Sequence, residues 1–124
     1  MIITGGTSGL GLELVAEAIN RGYFVCNLAR NKEKMASLDS RFTSNYKGFV
    51  GDVSDEAFVK NAIKEISNLG NISALINCAD KGIFKKATNY ESKDLDASFA
   101  GLKGMILCTT EVLKVKEEQN VKKM

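Results

Sequence analysis

The residues with the clearest chemical potential form a glycine-rich segment near the start of the chain. Residues 4–11 read Thr-Gly-Gly-Thr-Ser-Gly-Leu-Gly and separate a short apolar run from a pattern of apolar residues at helical spacing. A glycine turn between a strand and a helix can bind the diphosphate of a dinucleotide. Gly5 would allow the tight turn, Gly9 a close approach to the phosphates, and Gly11 close packing of the helix. The spacing alone is equally compatible with an ordinary strand-to-helix turn.

The helix that follows would contribute to the same chemistry. The first N–H groups of a helix have no partner within it, and its N-terminus carries about half a unit of positive charge. Backbone N–H groups at Ser8 and Leu10 would therefore suit a phosphate.

Residues for other kinds of chemistry are scarce. The sequence contains no His, which removes the commonest base and metal ligand, so we expect no metal site. Cys26, Cys78 and Cys108 lie far apart in apolar segments. We expect buried free thiols in a reducing cytoplasm rather than a disulfide.

Length and composition indicate one globular domain over residues 1–124. With 44% hydrophobic and 26% charged residues, the chain is long enough for a core. A net charge of +2 is too small to favour nucleic acid or an anionic membrane as a partner. No apolar run approaches the roughly 20 residues of a membrane span, and no signal peptide precedes the first strand, so we expect a cytoplasmic protein.

The glycine segment must be positioned by strands and helices that alternate along the chain. The pattern predicts strands at residues 1–3, 23–28, 47–50 and 72–77. It predicts helices at residues 10–21, 31–38, 54–70 and 92–119, with a frayed tail over residues 117–124. Right-handed crossovers would give an α/β fold of the Rossmann type, a doubly wound parallel sheet of four strands in the order 3-2-1-4. The ligand crevice would then lie between strands 1 and 4.

Two of these helices carry apolar faces that we interpret as core. The third helix is expected to be capped by Ser54 and to bury Phe58, Ala62, Ile66 and Leu69. The last helix carries a stripe of Leu95, Phe99, Leu102, Ile106 and Leu113. Gly101 and Gly104 lie within this helix, where each costs about 1 kcal/mol relative to Ala. We therefore expect a close approach there to a strand or a partner helix.

Four segments follow a known pattern. Thr4 to Gly11 fit a Thr-Gly-x-x-x-Gly-x-Gly turn, and Gly51-Asp52-Val53 fit an acidic turn after the third strand. Residues 76–80 are similar to an Asn-Asn-Ala-Gly element, and residues 102–104 to a triplet in a long fourth helix. Together they resemble the short-chain dehydrogenase/reductase family of NAD(P)-dependent enzymes. The resemblance spans almost the whole chain but only the first half of a typical member, so the sheet is expected to be truncated.

The resemblance implies a dinucleotide cofactor and a set of residues that bind it. These are Gly5, Thr7, Ser8, Gly9, Leu10, Gly11, Arg30, Asn31, Asp52, Val53, Asn77 and Ala79. For Asp52 the alternative is a helix-entry residue that assists Ser54, and for Asn77 a strand-end side chain that bonds the backbone. The family reaction is hydride transfer between the cofactor and a carbonyl or alcohol.

The end of strand 2 bears on the choice of cofactor. A carboxylate there would bind the ribose 2′-hydroxyl of NAD and repel the 2′-phosphate of NADP. Residues 28–31 read Leu-Ala-Arg-Asn, with no acid before Glu33. The planar guanidinium of Arg30 can bond a phosphate, and we predict a preference for NADP(H) over NAD(H). The alternative is a solvated surface arginine.

The catalytic groups implied by the resemblance are a Tyr with a Lys four residues later, an upstream Ser and an Asn on the long helix. None of the three tyrosines here has Lys at that spacing. Gly101 stands where the helix Asn is expected, and Asp80 stands where a glycine is expected. General acid–base catalysis contributes about 10²- to 10⁴-fold in rate, so we expect this chain to be a poor catalyst.

Three functions remain open at this point. The chain is the cofactor-binding half of an oxidoreductase, a non-catalytic NADP(H)-binding or sensing module, or a structural remnant that binds nothing. Arg30 favours the first two, because a remnant needs no phosphate partner there. Strand 4 would be an apolar sheet edge, so we expect a homo-oligomer formed through that edge or the long last helix.

Overall fold

The computed structural model describes residues 1–80 and 83–123, with side chains as far as residue 121. Outside the described residues lie Met124 and two residues of the expected loop after strand 4, Lys81 and Gly82. The strands are β1 (Ile2–Thr4), β2 (Val25–Ala29), β3 (Tyr46–Val50) and β4 (Leu75–Asn77). They form one parallel sheet in the order β3-β2-β1-β4. The predicted fold class and strand order are confirmed.

The helices are α1 (Gly9–Asn20), α2 (Lys32–Arg41), α3 (Glu56–Leu69) and α4 (Ser92–Lys123), and a 3-10 turn, Ala87–Asn89, precedes α4. α4 is helical to Lys123, whereas the sequence predicted fraying from residue 117. No Gly or Pro interrupts residues 105–123, so nothing in the backbone chemistry stops the helix earlier. Within the described ranges, no helix has the length and apolar character needed to cross a membrane.

Two groups of buried side chains hold the helices on the two faces of the sheet. One group joins α1 to β1 and β2 through Ile3, Val15, Ala18 and Val25. The larger group joins the sheet to α3 and α4, and its members include Ile2, Leu28, Phe49, Val59, Ile63, Cys108 and Val112. Burying such a side chain contributes about 1.5–3 kcal/mol for the larger aliphatic ones. Both faces are therefore covered, as expected for a parallel sheet.

The cap and the buried face of α3 differ from the prediction. The N-cap is Asp55, whose carboxylate accepts hydrogen bonds from the N–H groups of Ala57 and Phe58 at 3.0 and 3.4 Å. Ser54 precedes the cap, and Asp55 is the better choice because its charge also interacts with the helix dipole. The buried residues of α3 are Val59, Ala62, Ile63 and Ile66. Leu69, predicted as core, is 52% exposed.

The apolar stripe of α4 that was predicted as core faces outward instead. Leu95, Phe99, Leu102, Ile106 and Leu113 are between 52% and 63% exposed. The buried face carries smaller residues at the same spacing, namely Gly104, Cys108 and Val112. A Cβ atom at Gly104 would overlap the side chain of Val53. At Gly104, therefore, the close approach is to the β3–α3 connection rather than to a strand or a partner helix.

Three other expectations differ in detail. β4 begins at Leu75 rather than at residue 72. β2 begins at Val25, and the preceding Tyr23 and Phe24 are exposed rather than part of the strand. Of the cysteines, Cys26 and Cys108 are buried free thiols as predicted, whereas Cys78 is only half buried. Cys78 follows the last residue of β4 and lines the open cleft at the end of the sheet.

Candidate functional site

The carboxyl ends of the strands border one cleft with a volume of about 840 Å³. All of the predicted cofactor-binding residues line it: Gly5, Thr7, Ser8, Gly9, Leu10, Gly11, Arg30, Asn31, Asp52, Val53, Asn77 and Ala79. β1 lies between β2 and β4. The strands that precede β4 in sequence continue the sheet on one side of β1, and β4 is added on the other side, so the strand order reverses at β1. Ligands of open α/β sheets bind at such a reversal of strand order.

The turn between β1 and α1 depends on its glycines. Gly5 and Gly9 have positive φ angles of 68° and 54°, which other residues rarely adopt. A Cβ atom at Gly5 would lie 2.7 Å from the Cα atom of Ala79, and one at Gly11 would overlap the carbonyl oxygen of Gly5. At Gly9, by contrast, no described atom beyond the local backbone of its own turn lies within 4 Å of that position. The turn is packed on its inner side and open on the side that faces the cleft.

The N-terminus of α1 opens into the same cleft. Ser8 is the N-cap in an extended conformation, and in the described structure its side chain makes no capping hydrogen bond. The N–H groups of a first helical turn have no partner within the helix. Leu10 is 71% exposed, and the first turn carries no acidic residue. This arrangement suits an anion of the size of a diphosphate.

Two buried polar residues hold the turn in place, and sequence reasoning missed both. The hydroxyl oxygen of Thr4 accepts hydrogen bonds from the N–H groups of Cys78 and Ala79, both at 3.1 Å. The Oδ1 atom of Asn27 accepts one from the N–H of Gly6 at 3.0 Å. A polar residue inside an otherwise apolar strand, as at Asn27, was the available signal, because buried polar groups are normally hydrogen-bonded.

The end of β2 presents cations to the cleft. Arg30 is exposed and lines it. Asn31 caps α2, since its Oδ1 atom accepts a hydrogen bond from the N–H of Lys34 at 2.9 Å. Lys34 also lines the cleft and was not predicted. Its position four residues after Arg30, in the first turn of a helix, was the signal that could have identified it.

The end of β3 supplies Asp52 and Val53. The Oδ1 atom of Asp52 accepts hydrogen bonds from the N–H and the hydroxyl of Ser54 at 2.9 and 2.8 Å. The bond from the Ser54 N–H, followed by its hydroxyl and by the charges of Arg30 and Lys103, holds the pKa of Asp52 below its ordinary value despite partial burial. Asp52 is therefore ionised near neutral pH and orders this turn, as the helix-entry alternative required, while it also lines the cleft.

The end of β4 borders the opposite side of the cleft. The Nδ2 atom of Asn77 donates a hydrogen bond to the hydroxyl of Thr109 at 3.3 Å. Asn77 thus bonds a side chain of α4, whereas the alternative to a ligand-binding role had it bonding the backbone. Its Oδ1 atom is buried and has no partner among the described residues. An unpaired buried acceptor is costly, so this end of the cleft carries an unmet hydrogen-bond requirement among the described residues.

The two departures from the expected pattern meet at this end of the cleft. Asp80 and Gly101 both line it. A Cβ atom built at Gly101 would lie 2.7 Å from the Oδ1 atom of Asp80. The carboxylate therefore occupies the space that a side chain on α4 at position 101 would need.

The fold and the cleft define a Rossmann-type α/β protein. A family model described as short chain dehydrogenase matches residues 1–121, and the chain belongs to this family.

Individual relatives support the assignment. A 1,2-dihydroxy-1,2-dihydronaphthalene dehydrogenase of Pseudomonas putida is 41% identical over 90 residues, which are 72% of this chain and 34% of that protein. The structure of a gluconate 5-dehydrogenase from Burkholderia cenocepacia in complex with NADP and tartrate is 30% identical, with a TM-score of 0.80, over 91% of this chain and 46% of that one. A 3-ketoacyl-(acyl-carrier-protein) reductase from Brucella melitensis complexed with NADH shares the fold, with a TM-score of 0.85 and 24% identity over 98% of this chain and 51% of that one. The chain spans about a third to a half of the length of these relatives.

Proposed function

We propose that residues 1–124 form a single domain that binds NADP(H) in the cleft at the carboxyl ends of the strands. The observation that carries this proposal is the meeting of the glycine turn, the free N-terminus of α1 and Arg30 at one cleft. The diphosphate would lie at the backbone of residues 8–11, because that backbone offers N–H groups and the first turn of α1 carries no acidic residue. Asn77 lines the cleft at the end of β4, on the side where the second nucleoside would lie.

The preference for NADP(H) over NAD(H) rests on the end of β2. Arg30 and Lys34 line the cleft there, and both favour the two negative charges of a 2′-phosphate. The carboxylate on this side of the cleft, Asp52, is already engaged with Ser54. Of the two related structures, one contains NADH and the other NADP. The relatives therefore do not indicate which cofactor is preferred, and the preference depends on residues of this chain.

The reaction that we propose for the whole protein is the hydride transfer of its family, between NADP(H) and a carbonyl or alcohol. When bound, the nicotinamide ring supplies or accepts the hydride. A Tyr-x-x-x-Lys pair is absent from these 124 residues, so this part of the protein would bind and orient the cofactor. The second candidate is a non-catalytic NADP(H)-binding or sensing module. Gly101 and Asp80 favour it, because neither provides the group expected at its position.

Binding titrations with NADPH and NADH test the cofactor assignment. We expect NADPH to bind more tightly, and Arg30→Gln to weaken NADPH binding by about tenfold to a hundredfold, since a hydrogen bond to a charged group contributes about 1.5–3 kcal/mol. NADH binding should change little in the same variant. Arg21→Gln is the matched control, because Arg21 is an exposed cation paired with Glu17 on α1. Tighter binding of NADH than of NADPH would contradict the assignment.

We further propose that the partner of this chain is a second copy, and that the protein is cytoplasmic. The exposed apolar face of α4 lies next to β4, the strand at the edge of the described sheet. Monomeric proteins rarely expose such a continuous apolar surface, and one face that meets itself gives a closed dimer. Light scattering that reports a monomer at high protein concentration would contradict this assembly. The free thiols fit a reducing compartment.

A further inference from the structure

An acidic residue, Asp80, lines the cleft beyond the end of β4. Asp80 follows β4, is exposed, and its N–H donates a hydrogen bond to the carbonyl oxygen of Cys78 at 2.9 Å. Its Oδ1 atom lies against the backbone of α4 at Gly101, where a larger residue would displace it. The absence of a side chain at Gly101 thus makes room for the carboxylate in the cleft.

The position of Asp80 relative to the diphosphate site determines which part of the ligand it faces. Arg30 and Lys34 lie on the β2 side of the glycine turn, whereas Asp80 lies on the β4 side. A dinucleotide bound through its diphosphate at the turn places one nucleoside on each side of the reversal in strand order. If the adenosine 2′-phosphate lies at Arg30, the nicotinamide nucleoside lies on the side of Asp80. This step rests on the proposed function.

The oxidised and reduced cofactors differ in charge at one place. The nicotinamide ring carries a positive charge in NADP⁺ and none in NADPH, while the phosphates are the same in both. A charge on the β2 side therefore acts on both forms alike, and a charge near the ring acts on one of them. Arg30 and Lys103 lower the pKa of Asp52. These two positive charges therefore act near Asp52, at the end of β3.

We propose that Asp80, in the space left by Gly101, makes the cleft bind the oxidised cofactor, with its cationic ring, in preference to the reduced one. An exposed pair of opposite charges is worth little, about 0.2–1 kcal/mol. The preference due to Asp80 is correspondingly about 1.4- to fivefold in the ratio of the two dissociation constants. A cleft with this preference would suit a protein that responds to the oxidised fraction of the NADP pool.

The test is the ratio of the dissociation constants of NADPH and NADP⁺, measured by the fluorescence of NADPH and by its displacement with NADP⁺. In Asp80→Asn this ratio should fall toward the value set by the other residues, whereas Asp80→Glu should keep most of the preference. Asp96→Asn is the matched control, because it removes the same charge from an exposed position on α4 that does not line the cleft. An unchanged ratio in Asp80→Asn, with both cofactors bound, would overturn the inference and leave the proposed function intact.

A second variant tests the role of Gly101 independently. In Gly101→Ala the new methyl group would push the carboxylate from its place, so the ratio should fall as in Asp80→Asn. Adding Gly101→Ala to Asp80→Asn should then cause no further fall. A further fall in the double variant would mean that Gly101 acts in another way, which would overturn the pairing of the two residues. Failure of the unmodified chain to bind either cofactor would refute the proposed function itself.

Discussion

Replacing Gly9 by Ala separates binding from stability at the glycine turn. Gly9 has a φ angle of 54°, and no described atom beyond the local backbone lies within 4 Å of a Cβ atom added there. The new methyl group would therefore meet no neighbour in the free protein and would project into the space where the backbone must approach a diphosphate. We expect Gly9→Ala to weaken NADPH binding while the fold is retained.

Gly22 provides a matched control for this substitution. Its φ angle is 89°, no described atom beyond its chain neighbours lies within 4 Å of its added Cβ atom, and it lies outside the cleft at the other end of α1. An Ala in the left-handed conformation costs about 1–2 kcal/mol, so Gly9→Ala and Gly22→Ala should lower the free energy of unfolding by similar amounts. Loss of one charge-assisted hydrogen bond to phosphate costs about 1.5–3 kcal/mol. Only Gly9→Ala should therefore weaken NADPH binding, by about tenfold to a hundredfold.

Urea unfolding and NADPH titration on the same two variants measure the loss of stability and the loss of binding separately. If Gly9→Ala binds NADPH as tightly as Gly22→Ala does, the backbone at Gly9 does not approach the phosphates and the reasoning is refuted. Gly11→Ala adds a third arm, because its methyl group would overlap the carbonyl oxygen of Gly5. Overpacking costs about 1–3 kcal/mol, so this variant should lose stability as well as binding.

Three further predictions concern the rest of the molecule. Burial raises the pKa of the Cys108 thiol from 9.0 to about 11. The folded state therefore gains stability from the protonated thiol below pH 9 and loses that gain as the pH rises toward 11. Cys108→Ala should flatten the dependence of the urea midpoint on pH in that interval. Asp55→Ala should lower the free energy of unfolding by about 0.5–2 kcal/mol, and a larger loss in Ser54→Ala would contradict the assignment of the cap. Phe99→Glu should weaken self-association measured by light scattering, because Phe99 is 63% exposed on the apolar face of α4, and unchanged self-association in this variant would contradict the proposed interface.

The sheet and the cleft could be predicted from the sequence because both depend on local signals. Short apolar runs that end at glycine turns specify parallel strands, and the carboxyl ends of parallel strands meet at one edge. The resemblance to the short-chain dehydrogenase/reductase family assigned residues as distant in sequence as Gly5, Arg30, Asp52 and Asn77 to one site, and all four line the cleft.

The faces of α3 and α4 could not be assigned in the same way, because periodicity identifies stripes without ranking them. α4 carries one stripe of large apolar residues and one of small residues at similar spacing. The small stripe is buried because Gly104 lets the helix approach Val53, a contact between distant parts of the chain. The supporting roles of Thr4 and Asn27 were missed for a related reason, since their partners become neighbours only in the folded sheet.

The most direct test of the central claim is a map of backbone amide chemical shifts on addition of NADP⁺. If the diphosphate lies at the glycine turn, we expect the largest changes at the N–H groups of Gly9, Leu10 and Gly11, with a second group at Arg30 and Asn31. We also expect the second group to change much less with NAD⁺, which lacks the 2′-phosphate. Changes confined to the outer face of α4, with the glycine turn unaffected, would contradict the account.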